Sequence, residues 1–109
     1  VKAKAYLIDP KTGSIIWMNE SARRDRPDID PYKEGGPQIE KTVHMARELG
    51  IMEALSLVAE TGETQHLHAG VIHMRRGTLE IAASLYPLPD GKLLLLIENA
   101  WQMKRRTNL

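Results

Sequence analysis

Apolar residues gather in pleated runs at both ends of the chain and in a helical stripe through its middle. Residues 3–9 predict a strand, because Tyr6, Leu7 and Ile8 favour a pleated surface. Asp9-Pro10-Lys11-Thr12-Gly13 predicts a turn: proline pre-sets φ and Gly13 supplies a positive one. Residues 14–18 predict a second strand, with Ile15, Ile16 and Trp17, so the two form a hairpin. Asn19 reads as the N-cap of a short helix over 20–25, with Glu20 at its positive end and Arg23 and Arg24 at its negative end. A loop follows over 26–37, with three prolines and Gly35-Gly36. Ile39, Val43, Ala46 and Leu49 then recur at helical spacing, with Gly50 as a stop. Met52, Leu55, Val58 and Ala59 mark a further helix that ends near Thr61-Gly62. The pattern leaves open whether 38–61 is one bent helix or two.

The last third reads as β. Strands are predicted over 64–74, 78–88 and 92–98, separated by turns at Arg75-Arg76-Gly77 and Pro89-Asp90-Gly91. In the second of these, Leu79, Ile81, Ala83 and Leu85 share a face by the two-residue period. Leu93 to Ile97 breaks the alternation with five consecutive aliphatics. A strand with one buried face alternates, so this run predicts cover on both faces. The inner face meets the helices, and the outer one is expected to meet a second copy, the C-terminal segment or a further helix.

The chain has 109 residues, 42% hydrophobic and 27% charged, with a net charge of +1. That suits a single globular domain and disfavours a polybasic nucleic-acid binder or a charged disordered tail. Neither a membrane span nor a signal peptide is visible. There is no cysteine, which excludes disulfides, thiolate metal sites, cysteine nucleophiles and cysteinyl-flavin adducts, and fits a cytoplasmic location. The first residue is Val1, and Met103 to Leu109 reads as the opening of a helix. The chain is therefore expected to be a module of a longer protein, with a core over 1–99 and a linker helix beginning over 100–109.

Three blocks of sequence carry a resemblance. Tyr6-Leu7-Ile8-Asp9, followed by Gly13-Ser14-Ile15-Ile16-Trp17-Met18-Asn19-Glu20-Ser21-Ala22, is the first. Ala54-Leu55 with Glu60-Thr61-Gly62-Glu63 is the second. Gly77-Thr78-Leu79-Glu80-Ile81 with Tyr86-Pro87-Leu88-Pro89-Asp90-Gly91-Lys92-Leu93-Leu94 is the third. Together, in this order, they resemble a PAS domain, the sensory module of bacterial kinases, transcription regulators and cyclic-dinucleotide enzymes. The chain departs from that pattern at Glu98-Asn99-Ala100, where an Asp-Ile-Thr-like exit is usual, and at Arg23-Arg24-Asp25-Arg26, where an aromatic-glycine ending is usual. The resemblance implies an α+β fold: a five-stranded antiparallel sheet in the order 2-1-5-4-3, with helices packed on one face.

The family also directs attention to His44, because haem-binding members take their proximal ligand from this helical region. Position 44 is offset from the Ile39, Val43, Ala46 stripe, which favours a surface histidine over a haem ligand. His66, His68 and His73 crowd one strand. In an unbroken strand His66 and His68 share a face and His73 takes the other. Two histidines at i and i+2 can chelate a metal, but a stable zinc site needs three or four ligands and no carboxylate is placed to complete one. A pH-sensitive patch is a further reading. Glu60, Glu63 and Glu80 have no nucleophile or metal partner and read as solvated surface. Gly35-Gly36 lacks the Lys and Ser/Thr of a phosphate loop. Arg23, Arg24 and Arg26, and likewise Lys104 to Arg106, lack interleaved aromatics and read as helix-end and linker charges.

The resemblance thus implies a cytoplasmic sensory and dimerisation module of a larger signalling protein, expected to be without catalysis of its own. A small ligand is expected between sheet and helices, walled by Trp17, Met52, Leu55, Val58, Ile72, Leu79 and Ile81. Leu94, Leu96 and Trp101 are the expected homodimer contacts. The signal is expected to leave through 101–109 to a covalently linked output domain. A ligand-free pairing module and a haem or metal sensor using His44 or His66 and His68 are the alternatives. Neither a nucleic acid nor a membrane is an expected partner.

Overall fold

The computed structural model describes residues 3–33, 36–43, 46–47, 49–74 and 77–103, with 68–74, 79 and 99–103 described by backbone alone. Strands β1 (Lys4–Asp9) and β2 (Ser14–Met18) are followed by α1 (Glu20–Asp25), α2 (Ile39–Thr42) and α3 (Ile51–Thr61). Three long strands complete the chain: β3 (Gln65–Met74), β4 (Gly77–Pro87) and β5 (Leu93–Met103). The class is α+β, with one antiparallel five-stranded sheet in the order β2-β1-β5-β4-β3.

Local chemistry sets the connections. Gly13 N–H donates to the Asp9 carbonyl at 2.8 Å and closes the first hairpin. Asn19 caps α1 through its side-chain oxygen, which accepts from Ala22 N–H. Gly62 ends α3 in the left-handed region at φ 71°, with its N–H donating to the Val58 carbonyl at 2.8 Å. Gly36, at φ 60°, lies where an added Cβ would come within 3.1 Å of Ser14 Cβ. Its neighbour Pro37 accepts from Ile15 N–H, so the segment around 37–39 lies along the start of β2, beside Ser14 and Ile15.

The region 38–61 contains two separate helices. The expected helix over 39–49 winds for four residues only; Val43 already has an extended backbone, and Gly50 at φ 72° precedes α3. Ile39, Val43, Ala46 and Leu49 are nonetheless all buried. Their spacing recorded burial, and the turns after Thr42 present them inward without a continuous helix.

The core lies between one face of the sheet and the helices. Tyr6, Leu95 and Leu85 stand opposite one another on β1, β5 and β4 and are buried, with Ile8, Ile15, Leu93 and Ile97 beside them. Ile39, Ile51, Leu55 and Val58 pack onto them from the helices. Ile81, Ala83 and Leu85 are buried as the two-residue period requires. β5 runs to Met103, five residues past the expected end at Glu98, because β4 pairs with it along its whole length to Gly77↔Met103. Residues 100–103 are therefore strand and not the start of a helix, while 104–109 lie outside the described residues. Among the described residues, no helix is long and apolar enough to cross a membrane.

Candidate functional site

The sheet face opposite the helices carries an apolar surface. Trp17, Leu7, Leu94 and Tyr86 stand in one cross-strand line over β2, β1, β5 and β4. Ala5, Leu96, Ser84 and His66 form the next line. Leu7, Leu94, Leu96 and Tyr86 are half-buried, and Trp17 is 37% exposed. The His66 ring meets Tyr86 edge-on at 6.1 Å, and its Nδ1 lies 2.9 Å from Ser84 Oγ. Leu93 to Ile97 alternates after all: Leu93, Leu95 and Ile97 are in the core, Leu94 and Leu96 on this outer face.

Two irregularities decide what this face displays. Between β1 and β2 the register passes from Leu7↔Trp17 to Ile8↔Ile15, leaving Ile16 as an extra residue. Ile15 and Met18 are consequently both buried, while Trp17 lies outside. Trp17 therefore belongs to the surface and not to an interior ligand wall. Between β3 and β4 the register passes from Ala69↔Ile81 to Val71↔Glu80, leaving Gly70 unpaired. His66, His68 and His73 then oppose Ser84, Ala82 and Thr78, which alternate on one face of β4. The bulge thus reverses the expected facing of His73 and brings the three histidine positions to the outer face. Ala82 and Thr78 are four residues apart, so His73 stands roughly 13 Å along the strand from His68. Among the described residues no three His, Asp or Glu side chains gather as a metal site.

The other expected site residues fall as follows. Leu55, Val58 and Ile81 are buried members of the core, and Met52 packs partly buried against it. Ile72, Leu79 and Trp101 stand opposite one another on β3, β4 and β5. That line follows the alternation of Ile81 and Ile97 on the core-facing side, so Trp101 does not share a face with Leu94 and Leu96. The side chains of these three, and His44 altogether, lie outside the described residues.

Beside α1 a shallow groove runs between Trp17, Asn19, Glu20 and Arg23, adjoining another lined by Arg23, Pro27, Asp30 and Tyr32. Arg23 lies 5.8 Å over the Tyr32 ring and donates to its hydroxyl at 3.3 Å. Arg24 pairs with Glu20. Arg26 clamps the Asp28 carboxylate with Nε and Nη2 and donates from Nη1 to the Thr42 carbonyl at 2.9 Å. The hydrogen bonding of the Arg26 guanidinium to the Asp28 carboxylate holds that carboxyl below its ordinary range. Each arginine of α1 and its exit thus has a partner within the chain, which accounts for the basic cluster without an anionic ligand. Glu60 and Glu63 are exposed.

Comparison of the chain with protein-family models, with curated proteins and with solved structures found no match.

Proposed function

We propose that this chain is a PAS-like pairing and sensory module of a larger signalling protein, that it has no catalysis of its own, and that it pairs with a second copy through the outer face of its sheet. The observation that carries the reading is the apolar line Trp17, Leu7, Leu94, Tyr86, with Leu96 beside it, on the face opposite the helices. Contiguous apolar surface with exposed aromatics is characteristic of interaction sites. The strand order and the run of elements agree with those the PAS resemblance implies. Leu55, Val58 and Ile81 sit in the packed core, which favours pairing over the binding of a small ligand between sheet and helices.

Light scattering on the protein eluting from a sizing column tests the pairing. The expected result is a dimer at micromolar concentration, converted to a monomer by Leu94→Lys with Leu96→Lys, the far-ultraviolet circular dichroism unchanged. A wild-type protein that is monomeric throughout that range overturns the proposal. Native mass spectrometry of the same sample, with a visible absorption spectrum, shows whether a haem, metal or metabolite travels with the chain; added mass of that kind would return the sensor reading to first place.

A further inference from the structure

We propose that the trough beside α1, walled by Trp17, Arg23 and Tyr32, binds a proline-rich segment of another protein in the polyproline II conformation, with a basic residue of that segment set against Asp30. Two shallow grooves meet at Arg23: one runs to Trp17, and the other passes Pro27 and Pro31 to Tyr32. Trp17 is 37% exposed and Tyr32 68% exposed, so each offers ring surface to a ligand. Tryptophan, tyrosine and arginine are the residue types most enriched where binding energy concentrates. Here one of each lines a single trough. The inference does not rest on pairing through the outer face of the sheet, although Trp17 borders both surfaces.

The walls are held in place by the chain itself. Arg26 clamps Asp28 and ties the loop to the end of α2 through the Thr42 carbonyl. Ile29 packs against the core. Tyr32 N–H donates to the Asp30 carboxylate at 2.9 Å, and Arg23 lies over the Tyr32 ring. Walls that are already ordered lose little freedom when a ligand arrives.

The chemistry of the walls selects the occupant. They offer donors: the Trp17 indole N–H, the Arg23 guanidinium, and the Tyr32 hydroxyl, which accepts from Arg23 and keeps its own proton to give. Among the described residues the indole N–H has no acceptor, and Arg23 donates to Tyr32 but to no carboxylate. The acceptors at the Trp17 end are already committed. Asn19 serves the cap and β1, and Glu20 pairs with Arg24. A proline-rich segment complements such a set. Its carbonyls are free to accept, its prolines bring no N–H that needs an acceptor, and its rings lie against aromatic faces. Its conformation exists before binding, so little entropy is lost. Asp30 adds the charge complementarity. Its carboxylate accepts from Tyr32 N–H and meets no cation among the described residues, which suits a lysine or arginine beside the prolines.

The test takes a synthetic array of decapeptides that carry Pro-x-x-Pro and one arginine at either end. The tightest binders are titrated into isotope-labelled protein while NMR follows the Trp17 indole N–H and the Arg23 Nε–H. The expected result is saturable shifts confined to Trp17, Arg23 and the loop over 27–33. Tyr32→Ala should weaken binding roughly tenfold or more, with circular dichroism unchanged. Asp30→Asn should weaken it roughly threefold, and should leave unchanged the binding of the same peptide with alanine in place of its arginine. The variant with Leu94→Lys and Leu96→Lys should bind the peptide as the wild type does, so a failure of pairing and a failure of this inference are read separately. No shift with any peptide at millimolar concentration overturns the inference. So does binding that survives Tyr32→Ala, or that persists when alanine replaces the prolines. If the Arg23 and Tyr32 signals follow protein concentration and ignore every peptide, a second copy fills the trough and the inference falls.

Discussion

Asn19 shows how much one short side chain can hold. Its Oδ1 accepts from Ala22 N–H at 2.9 Å and from Ala5 N–H at 3.0 Å, and its Nδ2 donates to the Ala3 carbonyl at 2.9 Å. The same residue thus caps α1 and ties the helix to the start of β1. The capping role was legible, because a cap is a local relation between an Asn and the three residues after it. The tie to Ala3 and Ala5 was not, since it spans 14 to 16 residues. Asn19→Ala should lower unfolding free energy by about 2 kcal/mol, the loss of a cap plus a strand N–H left without its partner; urea denaturation reads it, and a change under about 0.5 kcal/mol would show that water replaces all three bonds. Tyr6 makes a second case. Burial, with a smaller contribution from Asp25 and an opposing one from Arg26, pushes its phenol up to about 12. The neutral phenol is the form the fold prefers. Its contribution is therefore complete below the unfolded value of about 10 and is lost as pH rises through 12. Stability should fall across that window by about 2–3 kcal/mol more in the wild type than in Tyr6→Phe, as denaturant titrations at stepped alkaline pH would show; equal falls would mean that the phenol is not the group titrating.

The strands were the most legible elements, because the two-residue period survives even in a single sequence. Ile81, Ala83 and Leu85 are buried where alternation puts them. What the period could not reveal was a change of phase. Ile16 and Gly70 are each an extra residue, and each reverses the facing of what lies beyond: Trp17 outward, His73 onto the face of His66. A bulge leaves no trace in composition, since it arises from the pairing of two strands and not from the propensity of one. The helical stripe over 39–49 erred differently, predicting burial correctly and a helix wrongly beyond Thr42. Leu93 to Ile97 was read as a run with both faces covered, yet within one chain only its odd positions are core. Leu95, fully buried between Tyr6 and Leu85 at the middle of the sheet, is where that core is most closed. Leu95→Ala should cost 2–5 kcal/mol, the upper half if the rigid sheet cannot collapse into the space. Thermal and urea unfolding would measure it, and a loss below about 1 kcal/mol would mean that the core relaxes freely.

At the scale of the molecule, the sheet is asymmetric in its protection. One face is roofed by α2 and α3, with Val43, Ala46 and Leu49 buried between them, and the segment around Pro37 lies along the start of the β2 edge. The other face bears Trp17, Leu7, Leu94 and Tyr86, and the β3 edge has no neighbouring strand among the described residues. The association surface proposed here is thus a face that the fold leaves without cover. The sequence by itself determined the class, the run of elements, the hairpins and the cap of α1, because each depends on residues close in the chain: proline and glycine at turns, Asn before a helix, apolar residues at a fixed period. It also determined, through the absence of cysteine, which chemistries are closed. Only the tertiary structure decided which face Trp17 and His73 occupy, where β5 ends, and that Asn19 reaches back to β1. Those outcomes depend on how distant strands align, and a shift of one residue in that alignment exchanges inside for outside.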